Sequence, residues 1–128
     1  MTQRIIVCDD HSHVRRVLQL KLEQSGFEVL TATNGREALD LVRDTHPQAL
    51  ITDLSMPLMG GRELCQRLQA EGRLPALRVL VVTSSADRSA RQWVEALPGV
   101  SLLEKPLSPK QVRDWVVEQL QASSGVAR

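Results

Sequence analysis

Short aliphatic runs recur along the chain, with polar, helix-spaced segments between them. The runs are Arg4–Cys8 (RIIVC), Glu28–Ala32 (EVLTA), Ala49–Thr52 (ALIT), Arg78–Val82 (RVLVV) and Val100–Leu103 (VSLL). Continuous apolar runs of this length are the habit of strands buried on both faces of a parallel sheet. The first intervening segment places Val14, Leu18 and Leu22 on one face and Arg15, Arg16, Gln19 and Glu23 elsewhere. That spacing predicts an amphipathic helix, closed by Gly26. Asn34–Gly35 precedes a second predicted helix, Arg36–Thr45, which stops before Pro47. Gly60–Gly61 precedes a third, Arg62–Glu71, ended by Gly72, and a fourth covers about Asp87–Leu97 and stops at Pro98–Gly99. Ser108–Pro109 opens the fifth, with serine as N-cap and proline at the first helical position; its apolar positions include Val112, Val116 and Leu120. Strand and helix alternate five times, and the tight loops favour right-handed crossovers onto one parallel sheet. The expected class is α/β.

Composition narrows the function. A chain of 128 residues suits one domain with a real core. Sixteen basic residues against fifteen acidic leave a formal charge of +1, so no basic footprint for nucleic acid is present. The aromatic residues are Phe27, Trp93 and Trp115, which predicts an aliphatic core and no stacking platform for bases. No apolar run approaches a membrane span. The opening MTQRIIVCDD turns acidic where a signal peptide would continue apolar, which argues for a cytoplasmic protein. Cys8 and Cys65 make no disulfide framework and match no zinc spacing, and read as half-buried thiols. The polar ending ASSGVAR divides the chain into a domain over 1–121 and a flexible tail over 122–128.

Candidate chemistry sits at the strand ends. In an open parallel sheet the side chains at the carboxyl ends of the strands face a common crevice. The first strand ends in Asp9–Asp10, the third in Asp53, the fourth in Thr83–Ser84–Ser85 and the fifth in Glu104–Lys105–Pro106. The second ends in the uncharged Thr31–Thr33 stretch. Three carboxylates brought together raise one another's pKa, and a divalent cation removes the conflict. Hard oxygen ligands with positions left for water suit Mg²⁺. Lys105 adds a fixed positive charge and Thr83 a hydroxyl donor. Metal, cation and hydroxyl are the parts that stabilise charge on a phosphoryl group in transit. Asp53, alone at the end of the central strand, is then the natural acyl-phosphate acceptor. Singly, such residues are helix caps and turns; their joint placement at one sheet edge is what carries the reading.

This ordered set resembles the receiver domain of two-component response regulators, over essentially the whole chain. The matching stretches are Asp9–Asp10, then Asp53-Leu54-Ser55-Met56-Pro57-Leu58-Met59-Gly60-Gly61, then Val81-Val82-Thr83-Ser84, then Glu104-Lys105-Pro106. The resemblance implies a flavodoxin-like, doubly wound five-stranded parallel sheet of order 2-1-3-4-5 with five helices. It also implies a role for each matching residue. Asp53 would accept a phosphoryl group from a phosphohistidine on a sensor histidine kinase or histidine phosphotransfer protein. Asp10 and Asp53 would ligate Mg²⁺ directly, Asp9 directly or through a water, and the backbone carbonyl of Ser55 would complete the protein ligands. Thr83 and Lys105 would bind the phosphoryl oxygens. Such a module catalyses its own phosphorylation and dephosphorylation and turns over no outside metabolite.

Other positions depart from the family or sit beside its motifs. The family's usual aromatic, two residues before the Glu-Lys pair, is here Leu102. Ser55 and Ser85 occupy positions at which relatives modulate dephosphorylation, and serine is short for that work. His11 and His13 read as exposed loop residues, and His46 as a surface turn residue. Trp115 lies off the Val112–Val116–Leu120 line, and Trp93 could share a face with it on the fourth and fifth helices. Phosphorylation is expected to be read out by a downstream protein or a second copy on the surface of the fourth helix, fifth strand and fifth helix, over Arg91, Glu95, Leu102 and Trp115. A cis bond is expected at Lys105–Pro106, because the lysine must point back into the crevice while the chain turns away. A phosphorylation-independent pseudo-receiver is the alternative. An aspartate-nucleophile phosphatase is disfavoured, because Ser55 stands where its general acid–base would be. A flavin or nucleotide carrier is disfavoured because Asp9-Asp10-His11-Ser12 would repel phosphate without a metal, and no glycine-rich phosphate loop is present.

Overall fold

The computed structural model describes residues 2–84, 88–106 and 108–124. Five strands alternate with five helices: β1 (Arg4–Cys8), α1 (Ser12–Gln24), β2 (Glu28–Ala32), α2 (Gly35–Thr45), β3 (Ala49–Asp53), α3 (Gly61–Ala70), β4 (Arg78–Thr83), α4 (Arg88–Glu95), β5 (Val100–Glu104) and α5 (Pro109–Ser124). All strand pairings are parallel, and the sheet order is β2-β1-β3-β4-β5. The doubly wound architecture expected from the family resemblance is the one observed. Among the described residues no helix is long and apolar enough to cross a membrane.

Strand pleat divides the core in two. Ile6, Cys8, Leu50, Val79 and Val81 face one side, where α2 and α3 close over them with Ala38, Leu39, Val42, Leu64, Cys65 and Leu68. Ile5, Val7, Ile51, Leu80 and Val82 face the other, under Leu18 and Leu22 of α1 and Val112, Val116 and Leu120 of α5. Each fully buried Ile, Leu or Val contributes about 1.5–3 kcal/mol through removal from water. The central strand β3 is buried along its whole length, whereas every residue of the edge strand β5 keeps some exposure. Edge position therefore decides which strand stays accessible.

Local signals set the helix ends. The Asn34 side chain accepts a hydrogen bond from the Glu37 N–H at 2.9 Å and caps α2. Ser108 accepts from the Gln111 N–H at 3.3 Å and caps α5 just ahead of Pro109. Gly26 follows α1 with φ +94°, a conformation that L side chains rarely adopt.

Several boundaries differ from the expected ones. Strands β3, β4 and β5 each run one residue further, taking in Asp53, Thr83 and Glu104. The reason is pairing: Asp53 is in register with Val82, and Thr83 with Glu104. Helix α4 stops at Glu95 rather than Leu97, where a tighter bond from Leu97 N–H to the Val94 carbonyl (3.1 Å) takes over. The expected start at Asp87, the position of Ser85 and residues 125–128 of the expected tail lie outside the described residues. The shared face suggested for Trp93 and Trp115 is not formed. Trp93 packs on the α2–α3 side of the sheet and Trp115 on the α1–α5 side. Their helices flank β5 from opposite faces, so helical period alone could not relate them.

Candidate functional site

The chain crosses from one half of the sheet to the other between β1 and β3, and the crevice above that point is where ligands bind in such sheets. Asp9 and Asp10 follow β1, Asp53 ends β3, and these strands are direct neighbours. One carboxylate oxygen from each of the three, together with a ring nitrogen of His11, lie within 4.8 Å of one another. Asp9 and Asp53 are buried, and Asp10 is open to solvent. Lys105 Nζ reaches in from the end of β5 to 3.4 Å from Asp53 Oδ1. Thr83 is buried at the end of β4, and its backbone carbonyl accepts the Lys105 N–H at 2.7 Å. That bond ties the lysine to the threonine strand. The Lys105–Pro106 bond is cis, as expected.

Electrostatics at Asp53 are unresolved within the protein itself. Burial raises its pKa, and the neighbouring Asp9 charge raises it further. Lys105 and the Leu54 N–H, which donates to Asp53 Oδ1 at 2.9 Å, act in the opposite sense, but the net direction is upward. Crowded hard oxygen donors with excess negative charge fit a divalent cation of the Mg²⁺ type. A cation of that kind would relieve the repulsion that burial intensifies.

The loop after β3 is held close to the site by backbone. Gly61 N–H donates to the Leu54 carbonyl at 2.8 Å, and a Cβ on Gly61 would lie 2.6 Å from the Asp53 carbonyl oxygen. Only glycine allows α3 to start this near the strand end. Beneath the loop, the Met56 thioether lies 3.3 Å from the Cys8 thiol. Burial pushes both the Cys8 and the Cys65 thiols up to about 12, which disfavours the thiolate form that reacts. Ser55 is exposed in the loop, two residues beyond Asp53.

Residues 5–117 match the response regulator receiver domain family. The chain belongs to that family. The receiver is 34% identical over 110 residues to the probable transcriptional regulator ycf27 of Porphyridium aerugineum, covering 86% of this chain and 45% of that protein. It is 40% identical over 91 residues to the response regulator MprA of Mycolicibacterium vanbaalenii, covering 71% of this chain and 38% of that protein. The chain thus spans less than half the length of these curated relatives. In fold it is similar to a CheY-like receiver domain protein from Methanospirillum hungatei, with a TM-score of 0.87 at 23% identity over 98% of each chain.

Two residues beside the receiver's acidic pair make contacts with it that the sequence did not predict. The His11 backbone N–H donates to Asp9 Oδ1 at 2.8 Å, and its exposed ring turns back so that Nδ1 lies 3.1 Å from Asp9 Oδ1 and 3.2 Å from Asp10 Oδ1. Arg15 Nη1 donates to the Asp9 carbonyl at 2.8 Å. The first follows from an Asx turn at Asp9, a habit of Asp at loop starts. The second follows from α1 opening immediately after the pair, so that its first turns lie over the loop. Leu102 packs against the α2–α3 side of the core, as a leucine in an aromatic's place can.

Proposed function

We propose that this receiver accepts a phosphoryl group on Asp53, from a phosphohistidine of a sensor histidine kinase or histidine phosphotransfer protein, in a Mg²⁺-dependent reaction. The observation that carries the reading is the convergence of Asp9, Asp10 and Asp53 at one sheet edge with Lys105 Nζ 3.4 Å from the Asp53 carboxylate. An Asp53 carboxylate oxygen attacks phosphorus. The P–N bond breaks, and the imidazole nitrogen of the donor keeps the bonding pair. Asp9, Asp10, Asp53 and the Ser55 carbonyl would hold the ion. When bound, Mg²⁺ supplies positive charge that relieves the crowded carboxylates and offsets charge on the phosphoryl oxygens. Lys105 neutralises further charge, and Thr83 offers a hydroxyl to the transferred group.

The receiver's own residues supply the transfer chemistry. Its setting is the cytoplasm, where such donors act. The phosphoryl group adds charge and acceptor oxygens that draw on Thr83 and Lys105, at the ends of β4 and β5. The readout surface is therefore α4, β5 and α5, which flank the exposed edge strand. Arg91 on α4 and Glu104 on β5 already form an ion pair across it at 2.5 Å. That surface serves a downstream protein or a second copy of the chain.

Incubation with acetyl phosphate and Mg²⁺, followed by intact-mass measurement, tests the reading. The expected result is one phosphoryl increment that disappears in Asp53→Asn. Amide exchange on the same sample should change around 88–106. An increment persisting on another residue, or none in the wild type, overturns the assignment. The latter result favours a phosphorylation-independent binding module.

A further inference from the structure

The His11 ring, though exposed, turns back onto the acidic pair. Its Nδ1 is 3.1 Å from Asp9 Oδ1 and 3.2 Å from Asp10 Oδ1, and a ring nitrogen of His11 belongs to the four-donor cluster that includes Asp53. His11 is the N-cap residue of α1, yet its side chain makes no capping hydrogen bond. The ring therefore does no work for the helix. In an octahedral site with bonds of about 2.1 Å, neighbouring ligand atoms lie about 3.0 Å apart. The two separations at His11 match such an edge.

Resting on the phosphoacceptor reading above, we propose that His11 is a direct ligand in this pocket, making it a mixed oxygen–nitrogen site that takes a borderline first-row cation such as Zn²⁺ in competition with Mg²⁺. The chemistry is selective. Imidazole nitrogen adds little for a hard cation that prefers oxygen and keeps its waters. It adds much for Zn²⁺ and Co²⁺, whose affinity for nitrogen donors rises along the first-row series. A cation here would take the Nδ1 lone pair, which leaves Nε2 to carry the ring proton. His13, two residues on, belongs to no such cluster among the described residues.

The test measures Zn²⁺ affinity by competition with a chromogenic chelator, Co²⁺ coordination by visible absorption, and Mg²⁺ affinity separately. His11→Ala should weaken Zn²⁺ binding at least about tenfold, because losing even an outer partner of a metal ligand costs that much. It should alter the Co²⁺ bands and leave Mg²⁺ affinity within about twofold. His13→Ala should change none of the three. Equal Zn²⁺ affinity in wild type and His11→Ala, with Mg²⁺ bound by both, overturns the His11 assignment and leaves the phosphoacceptor reading intact. So does a Zn²⁺ loss that follows His13. A wild-type protein that binds neither cation overturns both. Far-UV circular dichroism verifies that each variant is folded.

Discussion

The two edges of the sheet handle charge in opposite ways. At the amino edge, Glu71 follows α3 and accepts hydrogen bonds from both Arg43, at the end of α2, and Arg73, whose Nε is 2.8 Å away. The two guanidiniums hold the Glu71 carboxyl down at about 2. At the carboxyl edge, Asp53 has burial and Asp9 against it, with Lys105 at 3.4 Å as its opposing cation, and its pKa is raised. One carboxylate is fully answered by its own chain, the other is not. The lesson is that answered charge fastens elements together, while unanswered charge waits for something the chain does not contain. Each edge also carries a close backbone contact at a glycine, Gly61 against Asp53 at the carboxyl edge and Gly99 against Pro75 at the amino edge.

Breaking the backbone packing should have the largest effect. Gly61→Ala puts a Cβ 2.6 Å from the Asp53 carbonyl and 3.1 Å from Leu54 Cα, neither of which can rotate away. The expected loss is about 1–3 kcal/mol in urea denaturation, and it should slow phosphorylation by moving the loop beside Asp53. A variant of unchanged stability would mean that the edge is more pliable than its contacts indicate.

Removing the unanswered charge comes next, with the opposite sign. A carboxyl whose folded pKa is raised binds more protons in the folded state than in the unfolded, so stability falls as pH rises above the ordinary value of 3.8. Asp53→Asn removes that penalty. Its Tm in metal-free buffer should exceed the wild type's by a few degrees at pH 7, and the gap should close as pH falls through the folded pKa of Asp53. A lower Tm at neutral pH would show that Lys105 and the Leu54 N–H outweigh burial.

The smallest effect should come from the answered charge. Glu71 has its pKa lowered from 4.5 to about 2, so its stabilisation is present above pH 4.5 and is lost as pH falls toward 2. Glu71→Gln should lower Tm slightly at pH 7, by less than the Asp53→Asn rise. Water and salt screen these surface groups, so 1 M NaCl should shrink the difference further. A large, salt-independent loss would make the amino edge the more strained of the two.

Much of this was legible in the chain. The aliphatic runs gave five strands because burial on both faces leaves a continuous apolar signature. Asn34, Ser108 and Gly26 marked helix ends because capping chemistry is local. Asp9, Asp10, Asp53, Thr83 and Lys105 could be read as one cluster because parallel strands bring their carboxyl ends to a common edge. The one-residue extension of β3, β4 and β5 was not legible, since it depends on partners in register, not on the strand's own residues. The Arg43–Glu71–Arg73 contact joins residues with no shared period, and Trp93 and Trp115 go to opposite faces for the same reason.

The sequence by itself determined the alternation of elements, the aliphatic core and the types of chemical group at each strand end, because these follow from periodicity and from short-range hydrogen bonding. Only the tertiary structure decided how closely those groups meet and which further groups join them. Strand order sets β1 beside β3 and therefore Asp9 beside Asp53. Turn geometry carries the His11 ring back to the acidic pair. Helix packing decides which carboxylate receives arginines and which is left with its neighbours' charge. Distances between residues far apart in the chain are fixed by packing, and charge acts through those distances rather than through sequence separation.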